Sequence, residues 1–265
     1  MDLNIKNKVV IVTGGGRGIG EAICRLLAAE GAVPVIVGRL KAEGEALARD
    51  IEKQGGKALA IQKELGTPGS CREVVEETLS GLGRIDALVN NAGANDGVGL
   101  EHGTPAAFVA SLEKNLFHYF NLAHFALPEL KKNKGVILNI SSKTALTGQG
   151  NTSAYVAAKG AILALTREWA VELLKYGIRV NAIVPAEVIT PLYHEWVSQF
   201  DNPEEKLREI GSRIPLGNRL TTPEEIADTA VFLLSDRASH VTAQYLFVDG
   251  GYVHLDRSVS VLAQE

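Results

Sequence analysis

Cysteine is almost missing from this chain, with Cys24 and Cys71 the only two among 265 residues. Both fall in stretches of helical pattern and neither has metal-ligand spacing. A disulfide framework is therefore excluded, and both thiols are expected to be reduced, buried and inert. His118 and His124 have no carboxylate or cysteine partner at a ligand spacing, so no metal is expected. Long apolar runs are missing too. None approaches the ~18 residues of a membrane span, and no membrane partner is expected. The opening MDLNIKNK has no apolar signal core, which makes the cytoplasm the expected compartment. Charge of one sign is also lacking: 27 Lys and Arg stand against 31 Asp and Glu, a net −4. Nothing there recruits nucleic acid or an anionic surface. No linker composition interrupts the chain, so residues 1–265 are expected to form a single domain, and a hydrophobic fraction of 46% can supply its core.

The chain does have two ordered signals. Residues 139–159 read NISSKTALTGQGNTSAYVAAK. Tyr155 and Lys159 lie four apart, and a helix places them on one face. A phenol with a reference pKa of about 10 is a poor base near neutral pH, and an adjacent ammonium favours its phenolate. Ser142 follows the apolar run 136–140, which reads as a buried strand, and its hydroxyl is placed to polarise a substrate oxygen. Ser142, Tyr155 and Lys159 thus form a candidate proton-transfer site; an incidental Tyr and Lys on one helix gives the same spacing. The other signal is VVIVTGGGRGIG, residues 9–20. A β-branched run is followed by Gly14, Gly18 and Gly20 and then by an amphipathic pattern over 19–29. Glycines at a strand-to-helix turn let backbone N–H groups and the positive end of the helix dipole approach a phosphate.

Further strand patterns over 33–37, 58–61, 87–89, 178–184 and 245–248 alternate with helical patterns over 43–54, 73–79, 107–132, 154–174 and 223–234. In the last, Thr222 is placed as N-cap and Glu225 closes a capping box. Alternation of this kind implies an α/β fold, a parallel sheet with helices on both faces, and ligands at the carboxyl ends of its strands.

TGGGRGIG, NNAG at residues 90–93, Asn115, Ser142, Tyr155, Lys159 and the terminal FVDGGY together resemble the short-chain dehydrogenase/reductase family over residues 5–252. The segments SSKTALTGQGNTS and VPAEVITPLYHEW resemble its sugar-oxidising L-fucose dehydrogenase branch. The resemblance implies a single doubly wound Rossmann-type domain with a seven-stranded parallel sheet, a variable substrate lid at about 190–212, and a homotetramer or homodimer. It implies that Tyr155 is the general base, that Lys159 lowers the Tyr155 pKa and holds the cofactor ribose, and that Ser142 orients the substrate oxygen. Asn115 is expected in a locally loosened helix, sustaining a proton relay. Gly14, Arg17, Gly18, Ile19 and Gly20 are expected around the pyrophosphate, and Asn91, Ala92 and Gly93 beside them. Glu64 and Leu65 are expected near adenine, where Glu replaces the family's usual Asp. Pro185, Val188 and Thr190 are expected at the nicotinamide end, with Tyr155 and Lys159.

The end of the second strand carries Gly38 where an acid would bond free ribose hydroxyls. Arg39 beside it and Arg17 in the turn suit a 2′-phosphate; both also read as solvated surface charges. NADP is the expected cofactor, with NAD as the other choice. Asn95, Asp96, Ser142, Lys143, Gln149, Tyr155, Glu187 and Trp196 are the expected substrate contacts, a polar set suited to a sugar. A solvated loop at Asn95 and Asp96, a solvent-facing Glu187, and a lid core around Trp196 are the other readings of those residues. The expected reaction oxidises the anomeric carbon of L-fucose or a related aldose to the lactone. A 3-oxoacyl or small-ketone reductase could use the same site, and a non-catalytic dinucleotide sensor could keep the fold, though it has no need of the full Asn, Ser, Tyr, Lys set.

Overall fold

The computed structural model describes residues 2–255; Asp256 and Arg257 in the polar tail lie outside them. Seven strands form one parallel sheet in the order β3-β2-β1-β4-β5-β6-β7. They are β1 (Val9–Thr13), β2 (Val33–Gly38), β3 (Leu59–Gln62), β4 (Ala87–Asn90), β5 (Val136–Ile140), β6 (Arg179–Pro185) and β7 (Tyr245–Val248). Strand order reverses between β1 and β4, which places a crevice at their carboxyl ends. Val10 and Val12 face one apolar core with Ile23, Leu27, Ile226 and Val231. Val9 and Ile11 face the other with Val74, Leu122, Ile162 and Ala170. This period-two division of β1 explains its unbroken apolar run: both of its faces are covered by helices.

Those helices are α1 (Gly18–Ala29) and α10 (Pro223–Leu234) on the first face, with α3 (Pro68–Leu82), α5 (His118–Asn133) and α7 (Ser153–Leu173) on the second. The remaining helices are α2 (Lys41–Lys53), α4 (Pro105–Leu112), α6 (Thr144–Thr147), α8 (Pro191–Val197) and α9 (Pro203–Gly211). The capping box at Thr222 and Glu225 is present. Cys24 and Cys71 are buried in α1 and α3.

Two elements are more detailed than the sequence reading. The helix expected over 107–132 is α4 and α5 joined by one π-helical turn, Glu113–Phe117. The lid region is two short helices, each started by a Pro behind a capping side chain, Thr190 for α8 and Asn202 for α9.

Candidate active site

The crevice begins at the glycine turn. Gly14 and Gly18 have φ of +62° and +58°, the left-handed region that glycine adopts at least cost. A Cβ on Gly20 would sit 2.1 Å from the carbonyl oxygen of Gly14, so α1 can start against the turn only with glycine there. Thr13 ties the turn to the neighbouring strand. Its Oγ1 accepts from the backbone N–H groups of Asn91 and Ala92, each at 2.9 Å. The Asn91 Nδ2 donates to the Thr13 carbonyl at 2.9 Å. This leaves a helix N-terminus and close-approach backbone at the mouth of a cleft of about 620 Å³.

Every residue expected around the cofactor lines that cleft except Gly20, which lies behind the turn. The cradle fits a dinucleotide: the turn has no Cβ where a pyrophosphate would lie, and Thr190 sits over Gly18, 3.3 Å from where a Cβ would point. Leu65 lines the cleft beside Glu64, and Pro185, Val188 and Thr190 line its far end.

The ribose corner differs from the sequence reading. With Gly38 in place of an acid, Arg17 and Arg39 read from the sequence as suited to a 2′-phosphate or as solvated surface charges. The folded chain instead brings carboxylates to both from elsewhere. Arg17 Nη1 is 3.4 Å from Glu195 Oε1 on α8, and Arg39 Nη1 is 3.8 Å from Glu64 Oε1. Both pairs are exposed and loose, so they are easily exchanged for another anion. Glu43, in the first turn of α2, also lines this corner, and nothing in its sequence context points to it.

The candidate catalytic group is assembled from three elements. Tyr155 and Lys159 project from α7. That helix is anchored by a buried polar chain: Asn90 Nδ2 donates to Asn139 Oδ1 at 3.0 Å, and Asn139 Nδ2 donates to Thr166 Oγ1 at 3.0 Å. Ser141 Oγ donates to the Lys159 carbonyl at 2.9 Å, which fixes the Ser142 segment against the same helix. Asn115 is fully buried inside the π turn. Its Oδ1 accepts from Ala94 N at 2.8 Å and its Nδ2 donates to the Ser111 carbonyl at 3.0 Å. The loosened helix expected at Asn115 is this turn, a feature often found at functional sites.

The expected coupling of Lys159 to Tyr155 is corrected by the geometry. Lys159 Nζ donates to the Ile140 carbonyl at 2.7 Å and to the Tyr119 hydroxyl at 3.1 Å, and lies 5.6 Å from the Tyr155 ring centre. Burial pulls the Lys159 pKa down to about 7. Burial pushes the Tyr155 pKa up to about 12, the Ser142 hydroxyl works to lower it, and the Asp96 carboxylate adds to the rise. Burial is the largest cause of that rise, and the Lys159 ammonium, turned to Ile140 and Tyr119, does not offset it.

The expected substrate set divides. Ser142 and Tyr155 line the cleft; Asn95, Asp96, Lys143, Gln149, Glu187 and Trp196 do not. Lys143 is buried and forms an ion pair with Glu187, whose other oxygen accepts from the Tyr193 hydroxyl at 3.0 Å. Lys143 Nζ also lies 3.9 Å from the Tyr252 ring centre. Asp96 is held by Ser111, whose hydroxyl donates to it at 2.8 Å, and faces Lys114 at 3.8 Å. Gln149 and Asn95 are exposed. Trp196 is 42% exposed and packs edge-on against Tyr193 and Phe200, the lid-core arrangement. Opposite charges met and paired, which a residue list does not reveal. Sequence reasoning also missed His118, which lines the cleft. Its spacing of three from Asn115 was the available signal.

A family model described as enoyl-(acyl carrier protein) reductase matches residues 14–253. The L-fucose dehydrogenase of Bos taurus is 39% identical over 252 residues, 95% of this chain and 91% of its own length. The 3-oxoacyl-(acyl-carrier-protein) reductase of Thermotoga maritima is 36% identical, covering 95% of this chain and all of its own length. The crystal structure of Cj0485 dehydrogenase superposes with a TM-score of 0.92 at 49% identity, covering 97% of this chain and 98% of that one.

Proposed function

The chain belongs to the short-chain dehydrogenase/reductase family of oxidoreductases, and from that premise we propose that it oxidises the anomeric carbon of L-fucose or a stereochemically similar aldose to the lactone, with NADP as the preferred acceptor. The observation that carries the sugar reading is the match to the bovine L-fucose dehydrogenase along nearly the whole of both chains. Ser142 orients the sugar oxygen, and Tyr155 takes its proton. Lys159 supplies an N–H towards the ribose and passes the proton on, with Asn115 holding the turn through which it leaves. The nicotinamide ring supplies the hydride acceptor. In the free protein burial raises the phenol pKa, and the positive charge of an oxidised nicotinamide would act to lower it.

The preference for NADP rests on Arg17 and Arg39 and on the open space at Gly38. Glu64 and Glu195 temper it, because a 2′-phosphate must displace them, and NAD is the second cofactor. Lys143 and Glu187 are paired with each other and do not line the cleft, so Ser142 and Tyr155 are the members of the expected set left to meet the sugar. Val109, Phe117, Phe120 and Val171, exposed on the α4–α5 run and on α7, support a homodimer or homotetramer built across those helices. Among the described residues no helix is long and apolar enough to cross a membrane.

The Thermotoga match favours a second reading, reduction of a 3-oxoacyl thioester. One experiment separates the two: aldoses, small ketones and an acetoacetyl thioester are assayed with both cofactors by nicotinamide absorbance. Turnover of L-fucose or a near epimer is expected. Turnover of the thioester or ketones alone, with no free aldose accepted, overturns the sugar reading.

A further inference from the structure

His118 is 2% exposed and lines the cleft beside Lys159, yet the reaction as described gives it no part. Its Nε2 lies 3.1 Å from the Lys114 carbonyl oxygen. A carbonyl only accepts, so Nε2 carries the proton. Burial, with the Lys159 charge adding to it, lowers the His118 pKa to about 4, so the ring is neutral at working pH. Nδ1 is then a bare acceptor. It is fully buried and has no partner within the protein. A buried acceptor left unpaired destabilises the fold, and such groups call for an explanation.

The other end of the argument is Lys159. An ammonium has three N–H donors. Two go to the Ile140 carbonyl and the Tyr119 hydroxyl, and one is left for the cleft. The Tyr119 ring packs against His118 at 4.8 Å between centres, tilted by 46°, which helps to hold the imidazole in place. Lys159 and Tyr155 of α7, and Glu113 and Lys114 of its own helical run, are the other titratable groups on this stretch of the cleft wall. Lys159 is buried, so a proton taken from the substrate hydroxyl through Tyr155 needs a path to bulk water.

We propose that His118 is a positioning residue of the proton exit: Nδ1 accepts the hydrogen bond of the water that takes the proton from Lys159. In the oxidation the substrate carbon gives a hydride to the nicotinamide and the hydroxyl gives a proton to Tyr155. The Lys159 ammonium gives its cleft-facing N–H to the oriented water as it takes that proton, so Lys159 ends as it began and the water leaves to solvent as hydronium. His118 stays neutral throughout and neither gains nor loses a proton. The inference rests on the dehydrogenase reading, not on the identity of the sugar.

The first test needs no substrate. In protein with ¹⁵N-labelled histidine and NADP bound, His118 is expected as the neutral Nε2–H tautomer from about pH 6 to 8; an imidazolium at neutral pH, or the Nδ1–H tautomer, overturns the proposal. The second test measures turnover with the substrate that the panel above returns, so failure of L-fucose to react bears on the sugar reading alone. His118→Leu, which removes the acceptor, is expected to lower kcat about tenfold, with KM for substrate and cofactor within about twofold. The solvent deuterium isotope effect on kcat should rise, and added imidazole should recover part of the loss. His118→Gln keeps an acceptor and should retain kcat within about threefold of the parent. A His118→Leu enzyme with unchanged kcat overturns the proposal, as does an equal loss in both variants without a change in isotope effect.

Discussion

The two ends of the cleft are built differently. The cofactor end is made of backbone: a glycine turn, the Asn91 turn and the start of α1, held by sheet pairing and by Thr13. The polar cluster next to Ser142, at the other end, is made of side chains from four separate segments, Lys143 after β5, Glu187 after β6, Tyr193 on α8 and Tyr252 after β7, and of these Tyr193 alone lines the cleft. At the first end each role follows from a local conformational need, such as a positive φ or a missing Cβ. At the second, each charged group is answered by another from a distant part of the chain. A polar residue near a site is therefore not yet a ligand contact; its partners inside the protein must be counted first.

Breaking the catalytic link between the ends should have the largest effect. Tyr155→Phe loses only a hydroxyl, and turnover is expected to fall about 10³-fold while NADP binding by fluorescence titration stays near the parent value. Activity within a few-fold of wild type would remove Tyr155 from its role.

The polar cluster can be broken as a pair. Glu187→Ala leaves the buried Lys143 without its counter-ion and is expected to cost about 2 kcal/mol in urea unfolding. The double change Lys143→Met with Glu187→Leu should recover most of that, because the paired charges contribute little net energy. If Glu187→Ala is neutral, the pair is solvated and free to bind a ligand, and the contrast drawn above fails.

The pH dependence sharpens the comparison at Lys159. Its folded pKa, about 7, lies below the ordinary lysine value, so between about pH 7 and 10.5 the unfolded chain binds the extra proton. Its contribution therefore destabilises the fold below pH 7, and stability rises with pH across that window at up to about 1.4 kcal/mol per unit. Lys159→Met should flatten this rise; identical slopes in parent and variant would show that the lysine keeps an ordinary pKa.

At the cofactor end, a Cβ at Gly38 meets no atom within 4 Å, so Gly38→Asp has room to place a carboxylate where the ribose is expected. It should shift the NADP to NAD ratio of kcat/KM about tenfold towards NAD. The smallest effect is expected at Glu195→Ala. Its exposed contact with Arg17 contributes under about 0.5 kcal/mol, and its loss should modestly tighten NADP binding in low salt. A larger change would mean that the lid is pinned to the glycine turn by this pair.

The order of elements was readable because hydrophobic period and turn chemistry are local. The β-branched runs became buried strands, Gly14, Gly18 and Gly20 formed the turn, and β5, β7 and α10 have the bounds their patterns marked. Asn115 could be placed in a helix, but its loosening came from the resemblance, since one extra residue in a turn leaves no compositional trace.

What the amino-acid order determined by itself is therefore the sheet, its two covered faces, the glycine turn and the spacing of Tyr155 and Lys159, all set by neighbours a few residues apart. Only the tertiary structure decided that Lys143 meets Glu187 across 44 residues, that Glu64 and Glu195 answer the two arginines, and that the Lys159 ammonium points to Ile140 and Tyr119. Electrostatic pairing and desolvation depend on distance in space. Strand crossovers bring together charges that the chain keeps far apart, and burial then sets the proton affinities of Tyr155, Lys159 and His118.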